Sequence, residues 1–495
     1  MILYAIGVEQ SVSSMYNSGI FTLSLVGLIK VSWLPLNFIM IPVLLTGMSI
    51  GYNSNDMFDT MNVSRWQKML AKILTLAMFD GIIMLSNVLI FVIIAVLSKV
   101  SLCYAMYQFT GYFINTFIFL IVCGAIGLFF GKVISKYLGS VISTISAILL
   151  FLLLCNFYKT DNFILPLIDL RTISNSFDVI SYDKSYIYHN ILWLIIALII
   201  LMSSFAFKNL LIKWGSYLSL FVICIFLIWN MHLVNPTFYD ITIKAKVGDS
   251  GHNPSRFKTY YNKDDRGYYV DKYKMSLNIG DELENNCEME IVINGNSVKA
   301  IELGLFGKLN IKSVEVNSEK QSFTRTNNSF KVELPKEYKN GENIKMKVQY
   351  AGIINTVWSQ GQQFFHARSN SIFLADVFEW YPKLNDDRLK EYDIDVKYSG
   401  TNKIYSNLNY ENKSKVGKLI GKDKEVFLVS NRMVEKNYKN YLLVGNEESI
   451  NNDTLCDDII RLFGENNSDD KKKIIFGLAV PGTGAGEDYK NAYLK

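Results

Sequence analysis

The chain has 495 residues, half of them hydrophobic and only 19% charged, with a formal net charge of +5. That length exceeds one ordinary domain, the composition is apolar for a water-soluble protein, and the small positive balance gives no argument for nucleic-acid binding. The charge is also unevenly spread. Up to Asn235 there are twelve Lys or Arg and eight Asp or Glu, and after it thirty-eight and thirty-seven. An almost charge-free first part is thus joined to a second part of ordinary globular composition. Only Cys287 and Cys456 of the six cysteines fall in the second part, far apart in sequence, with no metal-ligand spacing and no indication of a disulfide framework. No removable signal peptide opens the chain.

Taken in chain order, Ser11–Ile29 is uncharged and rich in Ser, Asn and Gly, and reads as an interfacial helix or a remnant span. Six apolar segments follow, near Val31–Gly51, Ala71–Leu97, Tyr112–Phe130, Leu138–Cys155, Asn190–Phe207 and Trp214–Met231. Each is long enough to cross a hydrocarbon layer of about 30 Å at about 1.5 Å per residue. The expected fold class is therefore an α-helical transmembrane bundle over residues 1–235, in contact with a lipid bilayer. The loops after the first, third and fifth segments carry Arg65, Lys68, Lys132, Lys136, Lys208 and Lys213, whereas the alternating loops carry only Lys99, Lys159, Arg171 and Lys184. By the excess of cations on the cytoplasmic side, the first set faces inward and everything after His232 faces outward. Met1 then also lies outside, which implies a further upstream span.

From Tyr239 the period changes to two. Ile241, Ile243, Ala245 and Val247 alternate with polar residues, and the pattern recurs at Tyr273–Ile279, Met289–Ile293, Ile301–Leu305, Phe330–Leu334, Ile344–Tyr350, Ile372–Phe378 and Tyr392–Tyr398. Asn294-Gly295 and Asn340-Gly341 punctuate them as turns where φ is expected to be positive. Residues 236–448 thus read as an all-β, sandwich-like extracytoplasmic domain. A short α/β piece over residues 449–495 follows, with a helix at Asp453–Phe463 and a Lys-rich strand at Lys473–Val480.

The loop Asn53–Lys72, containing Val63-Ser64-Arg65 and then Ala71-Lys72-Ile73-Leu74, resembles the cytoplasmic loop between the second and third spans of ABC exporter permeases, and the long loop Phe157–His189 fits the same pattern. The resemblance implies that Arg65 and Lys68 belong to a coupling helix docking on a separate ATPase subunit, in an oligomer such as a homodimer. A Gly-Lys followed by Ser or Thr in a phosphate loop is absent, so ATP hydrolysis requires another chain. Asp80 lies within a span, and is read as a helix-interface carboxylate paired with a Ser or Asn of a neighbouring helix.

In the second part, the ordered set Tyr273–Ile279, Phe330–Pro335, Ile344–Gly352, Phe373–Pro382 with its Trp380-Tyr381-Pro382 triplet, and Tyr392–Tyr398 resembles the N-terminal β-domain of the aminopeptidase N family of zinc metallopeptidases. That family continues with a Gly-Ala-Met-Glu-Asn loop holding the substrate's free amino group. Here Gly484-Ala485-Gly486-Glu487-Asp488 stands in its place, which implies that Glu487, with Gly484 and Ala485, contacts a peptide ligand. A flexible Gly-rich turn is the competing reading.

Catalysis in that family needs two His one helical turn apart, a Glu base and a further Glu ligand. His189, His232, His252 and His366 are scattered, so no cofactor is expected in this chain and zinc only with a peptidase part beyond Lys495. His366 reads as structural, and the pairs Asp386-Asp387, Asp457-Asp458 and Asp469-Asp470 as solvated charge. The expected function is a permease-like membrane protein with an aminopeptidase-like outer domain that exports or handles peptides. The alternatives are the front part of a membrane-tethered zinc aminopeptidase, and a non-enzymatic peptide-binding sensor or immunity protein. Whether the chain is an enzyme is left open.

Overall fold

The computed structural model describes residues 33–52, 64–97, 99–156, 184–204, 210–234, 237–238, 266–357, 363–375, 378–384, 386, 388–413 and 416–453, and beyond these residues 456, 457, 460, 472–475 and 493–494. The chain divides into two compact units that part between Pro236 and Thr237. The expected strand Ile241–Val247, the Ser11–Ile29 segment and the loop Gly484–Asp488 lie outside the described residues.

The first unit is helical. Its elements are α1 (Trp33–Tyr52), α2 (Arg65–Leu97), α3 (Leu102–Phe129), a single π-turn (Phe130–Ile134), α4 (Ser135–Leu138), α5 (Ser140–Asn156), α6 (Lys184–Ser203) and α7 (Leu210–Val234). Three helical stretches, Leu70–Ile93, Leu102–Leu138 and Tyr186–Ser203, are long and apolar enough to cross a membrane. Each of the six apolar segments seen in the sequence overlaps a helix among the described residues. Two boundaries differ from expectation. α2 starts at Arg65 rather than Ala71 because Ser64 and Gln67 form a reciprocal cap: the Gln67 backbone N–H donates to Ser64 Oγ at 3.3 Å, and the Ser64 backbone N–H donates to Gln67 Oε1 at 3.0 Å. Arg65 and Lys68 therefore stand on the first turn of a 33-residue helix, not in a loop. Likewise α6 starts at Lys184, so 184–189 is helix and not the end of the preceding loop.

Glycine sets the closest helix contact. A Cβ on Gly47 of α1 would lie 2.8 Å from the Gly124 carbonyl of α3, and one on Gly51 would lie 2.9 Å from the Leu128 carbonyl. From the other side, a Cβ on Gly127 would run into the Leu44 carbonyl, and one on Gly131 into that of Met48. The backbones touch directly, as small residues permit between apolar helices. Around this crossing Val43, Leu44, Phe119, Leu120, Val122, Cys123 and Ile126 pack with Trp193 and Ala197 of α6 into one core.

The second unit is β-rich. Its largest sheet has eight strands in the order Asn409–Lys413, Val416–Asp423, Lys390–Tyr398, Tyr268–Ile279, Leu283–Ile293, Asn343–Gly352, Asn310–Val316 and Glu319–Lys320. All pairings are antiparallel except that of Lys390–Tyr398 with Tyr268–Ile279, where Tyr392 is level with Tyr273. The period-two pattern does what it implies: along Leu283–Ile293 every second residue is buried, and the intervening Glu and Asn residues face outward or sit part-covered. A six-stranded sheet runs Thr237–Phe238, Ile354–Val357, Gln363–Ala367, Ile372–Leu374, Leu428–Ser430 and Ile404–Ser406. Three strands, Ser297–Gly304, Ser329–Lys339 and Phe323–Thr326, make a third sheet.

The strand expected over Ile372–Phe378 ends at Leu374, because the chain turns there into the Trp380-Tyr381 segment. Gly341 has the expected positive φ, 86°, whereas Gly295 does not. Gly295 is needed instead because its α-carbon faces that of Gly267, where an added Cβ would approach to 2.6 Å. At the C-terminal end, Val434–Tyr438 and Tyr441–Gly445 form a hairpin whose second strand pairs in parallel with Lys472–Ile475. Between them lies the short helix α8 (Glu447–Asn451). Residues 453, 456, 457 and 460 are also helical.

If the glycine contact holds α1 against α3, Gly127→Ala should destabilise the purified protein by about 1–3 kcal/mol through overpacking. Gly81→Ala, where nothing lies within 4 Å of the added methyl, should be neutral or stabilising. Thermal melts of the two variants side by side check this; equal melting temperatures would remove the contact from the account.

Candidate functional site

The most densely built part of the β-rich unit is the Glu379–Lys383 segment. It belongs to no strand, yet Trp380 and Tyr381 are wholly buried. A buried segment must find partners for its backbone. Phe306 N donates to Glu379 O at 2.7 Å, Gly304 N to Lys383 O at 2.9 Å, and Lys383 N back to Gly304 O at 3.0 Å. The Trp380 carbonyl accepts from Tyr350 Oη at 3.1 Å, and that hydroxyl accepts from Asn285 Nδ2 at 2.7 Å. Trp380 Nε1 donates to the Val426 carbonyl at 3.3 Å.

Two tyrosines from distant strands, Tyr273 and Tyr392, close over the segment. Tyr273 stacks on Tyr392 with centroids 5.2 Å apart and meets Tyr381 edge-on at 5.3 Å. The hydroxyls of Tyr381 and Tyr392 are 3.3 Å apart. Burial pushes the Tyr273 and Tyr381 hydroxyls well above the ordinary phenol range, with neighbouring phenols and carboxylates adding to the effect. None of them can serve as a base near neutral pH.

Two ion pairs flank the aromatics. Lys383 Nζ lies 3.6 Å from Glu425 Oε1, both 7% exposed. Lys390 Nζ, almost fully buried, lies 2.6 Å from Asp386 Oδ1 and donates to the carbonyls of Lys424 at 3.0 Å and Arg388 at 3.2 Å. Such a pair is costly to break rather than strongly stabilising in itself. Asp386 is therefore not the freely solvated charge that the Asp386-Asp387 pair suggests. Asp457 also has partners, Tyr438 Oη at 3.1 Å and Lys439 Nζ at 2.6 Å. The arrangement positions a loop; it presents no open nucleophile or base.

His366 is the unusual group. It sits on the Gln363–Ala367 strand, 1% exposed, level with Asn355 on one neighbouring strand and Phe373 on the other. Neither ring nitrogen has a hydrogen-bond partner. Burial, aided by the Arg368 charge, lowers its pKa from 6.5 to about 3, so the imidazole is neutral in the folded protein. Its position among Phe373 and Ile372 is that of a core residue.

The donors a catalytic zinc needs do not come together. Among the described residues no group of three His, Cys, Asp or Glu could hold a metal ion. His189 is on α6 and His366 on a strand of the other unit. Gly484, Ala485 and Glu487 lie outside the described residues. In the helical unit, the side chain of Arg65 is likewise outside them, and Lys68 is half-buried one turn into α2. Asp80 is 3% exposed, but its Oδ1 has no hydrogen-bond partner, contrary to the expected pairing with a Ser or Asn. The Ser64–Gln67 cap and the role of Asn285 were the signals missed in the sequence. The first is a readable Ser-x-x-Gln pattern; the second has no local signature.

No family model matches the chain, and no curated protein does. Solved structures similar to it include a two-domain M1 zinc metallopeptidase bound to L-arginine, at 12% identity over 36% of this chain and 48% of that one, with a TM-score of 0.30. An M1 zinc metallopeptidase from Deinococcus radiodurans matches at 11% over the same shares, with a TM-score of 0.28. Leukotriene A4 hydrolase from Saccharomyces cerevisiae matches at 9% over 45% of this chain and 40% of that one, with a TM-score of 0.31. The chain spans less than half the length of each, and at these scores the likeness carries no argument about activity.

A buried neutral imidazole makes the β-rich unit acid-sensitive. Above pH 6.5 both folded and unfolded states hold it neutral. As pH falls from 6.5 towards 3 the unfolded chain takes a proton that the folded one refuses, costing about 1.4 kcal/mol per pH unit. In melts followed by strand-type circular dichroism, His366→Leu should lose less stability than wild type between pH 6.5 and 4. Parallel pH profiles would assign the acid sensitivity to carboxylates alone.

Proposed function

We propose that the protein is a multi-span membrane protein whose helical unit works as a permease-like, transport-linked bundle, and whose β-rich unit lies outside the cytoplasm and handles peptides. One observation supports the membrane reading above others. α2 leaves Leu74, Met78, Ile82, Leu85, Leu89, Ile93 and Val96 between 53% and 72% exposed, a continuous stripe at helical spacing. α7 does the same with Leu218, Phe221, Phe226 and Trp229, each at least 60% exposed. Water does not tolerate such stripes, and hydrocarbon covers them at no cost. The β-rich unit differs: Ile353, Leu389 and Ile420 are its exposed large apolar residues among those described.

Direction across the membrane follows from the cations. Lys68, Lys132 and Lys136 stand at one end of α2 and at the π-turn and α4, which the cation excess assigns to the cytoplasm. α7 then exits outward and carries the β-rich unit with it. Arg65 and Lys68, on a capped helix start, form the basic face on which a separate ATPase subunit docks, and a homodimer gives such a subunit two equivalent docking points. On the outer side, Glu487 with Gly484 and Ala485 would hold a peptide's amino terminus by charge. No zinc is assigned, because the described residues offer no ligand set.

The turn at Asn340-Gly341 is exposed and joins strands of two different sheets, so a tag inserted after Asn340 should leave both sheets intact. On intact cells stripped of their wall, added protease should remove that tag. A tag between Ser64 and the loop before it should survive until the membrane is opened. The reverse pattern would invert the orientation, and solubility of the whole chain without detergent would end the membrane reading.

A further inference from the structure

The packing of α2 against α3 leaves one group unexplained. Two contacts fix the antiparallel register of the pair. The rings of Phe91 and Phe109 lie 4.4 Å apart, and the Leu76 side chain lies 3.6 Å from where a Cβ on Gly124 would stand. Counting in from Leu76 and Gly124, Asp80 is level with Leu120. Met84 is then level with Thr116. Leu76, Asp80, Met84 and Phe91 share one stripe of α2, and Phe109, Thr116, Leu120 and Gly124 one stripe of α3, by their spacings of four and seven. Thr116 therefore stands about one turn from Asp80 across the same seam.

Both side chains are almost fully buried, at 3% for Asp80 and 1% for Thr116. Asp80 Oδ1 and Thr116 Oγ1 each lack a hydrogen-bond partner. Trp193 Nε1, 95% buried in the core that holds Met84, Phe119 and Leu120, lacks one too. A buried carboxyl is retained where something pairs with it. The helices packed against α2 supply no opposite charge: neither α1 nor α3 contains Lys, Arg or His. The titratable groups they do carry are Tyr52 on α1 and Cys103, Tyr104, Tyr107, Tyr112 and Cys123 on α3. Lys72 is on α2 itself, two turns from Asp80, and His189 is on α6.

We propose that Asp80, with the Thr116 hydroxyl about one turn along the same seam, is a binding site within the bundle for a monovalent cation, either a proton or Na⁺. The bound ion neutralises the carboxyl, and the hydroxyl supplies a second oxygen. The proposal deepens the membrane reading, but its test reads Asp80 directly, so a failed topology experiment and a failed test of this site are separate results.

The test uses the full chain in native membranes, with dicyclohexylcarbodiimide as the probe and peptide mapping to identify the modified residue. This reagent adds to a protonated carboxyl in an apolar setting. Modification of Asp80 that falls as pH rises, and is unaffected by Na⁺ or K⁺, supports a proton site. Modification slowed by Na⁺ but not K⁺, with a Na⁺-dependent rise in melting temperature that Thr116→Val weakens, supports a Na⁺ site. Asp80→Asn should abolish the modification while keeping the fold, and Asp80→Glu should restore part of it. Asp80 left unmodified at every pH and salt, or modified regardless of both, would overturn the proposal.

Discussion

A buried chain segment without secondary structure must find partners for its backbone, and Glu379–Lys383 finds several. Gly304 and Phe306 bond its backbone on one side, Tyr350 and Asn285 reach it from the large sheet, and Val426 receives the Trp380 indole. With those groups satisfied, Trp380 and Tyr381 can each bury enough ring surface to contribute roughly 4–6 kcal/mol of gross hydrophobic free energy. The strands that touch them come from Tyr268–Ile279, Asn343–Gly352 and Lys390–Tyr398, separated widely in sequence. All three belong to the eight-stranded sheet, and Gly304, at the end of a strand of the three-stranded sheet, bonds the segment from another side. The ion pairs Lys383–Glu425 and Lys390–Asp386 flank it and define where the chain enters and leaves.

The helical unit solves a different problem with different means. Its sequence has few charges, and among the described residues its closest helix contact is set by shape. Glycines at 47, 51, 124, 127 and 131 let α1 lie on α3 with backbone against backbone. The π-turn Phe130–Ile134 falls at the end of that contact, where Ser143 Oγ donates to the Phe130 carbonyl at 3.0 Å and Ser135 Oγ to the Gly131 carbonyl at 2.5 Å. Hydroxyls thereby occupy carbonyls that the wider turn leaves poorly paired. Against this sparse background a carboxyl and a hydroxyl without partners stand out.

Much of the architecture is legible in the residues. Hydropathy locates the helices, since apolar runs of that length have no other stable form, and period-two alternation locates the strands of the large sheet. Boundaries are less legible where a side chain decides them: Ser64 and Gln67 move the start of α2 back by six residues from the hydropathic edge. Gly295 shows a different gap, for its requirement arises from Gly267, which no local pattern connects to it. The Trp380-Tyr381-Pro382 triplet marks an important place, but the sequence offers no hint that Asn285 and Tyr350 serve it. Nor does it show that Asp80 lacks the partner one would assign to it. Such facts depend on which helix or strand faces which, and that information is not local.

The parallel pairing of Lys390–Tyr398 with Tyr268–Ile279 has a consequence in time. Lys272 lies beside Glu391, so the centre of the eight-stranded sheet closes only when the last of its central strands has left the ribosome. The hairpin Tyr268–Ile293 and its partner Asn343–Gly352 are made long before, and one edge of Tyr268–Ile279 carries unpaired amides and carbonyls throughout that wait. Long-range pairing of this kind is slow and leaves nascent edges open to wrong partners. An emerging chain of this design therefore depends on its surroundings during synthesis, and a stall before residue 398 would be more hazardous than one after it.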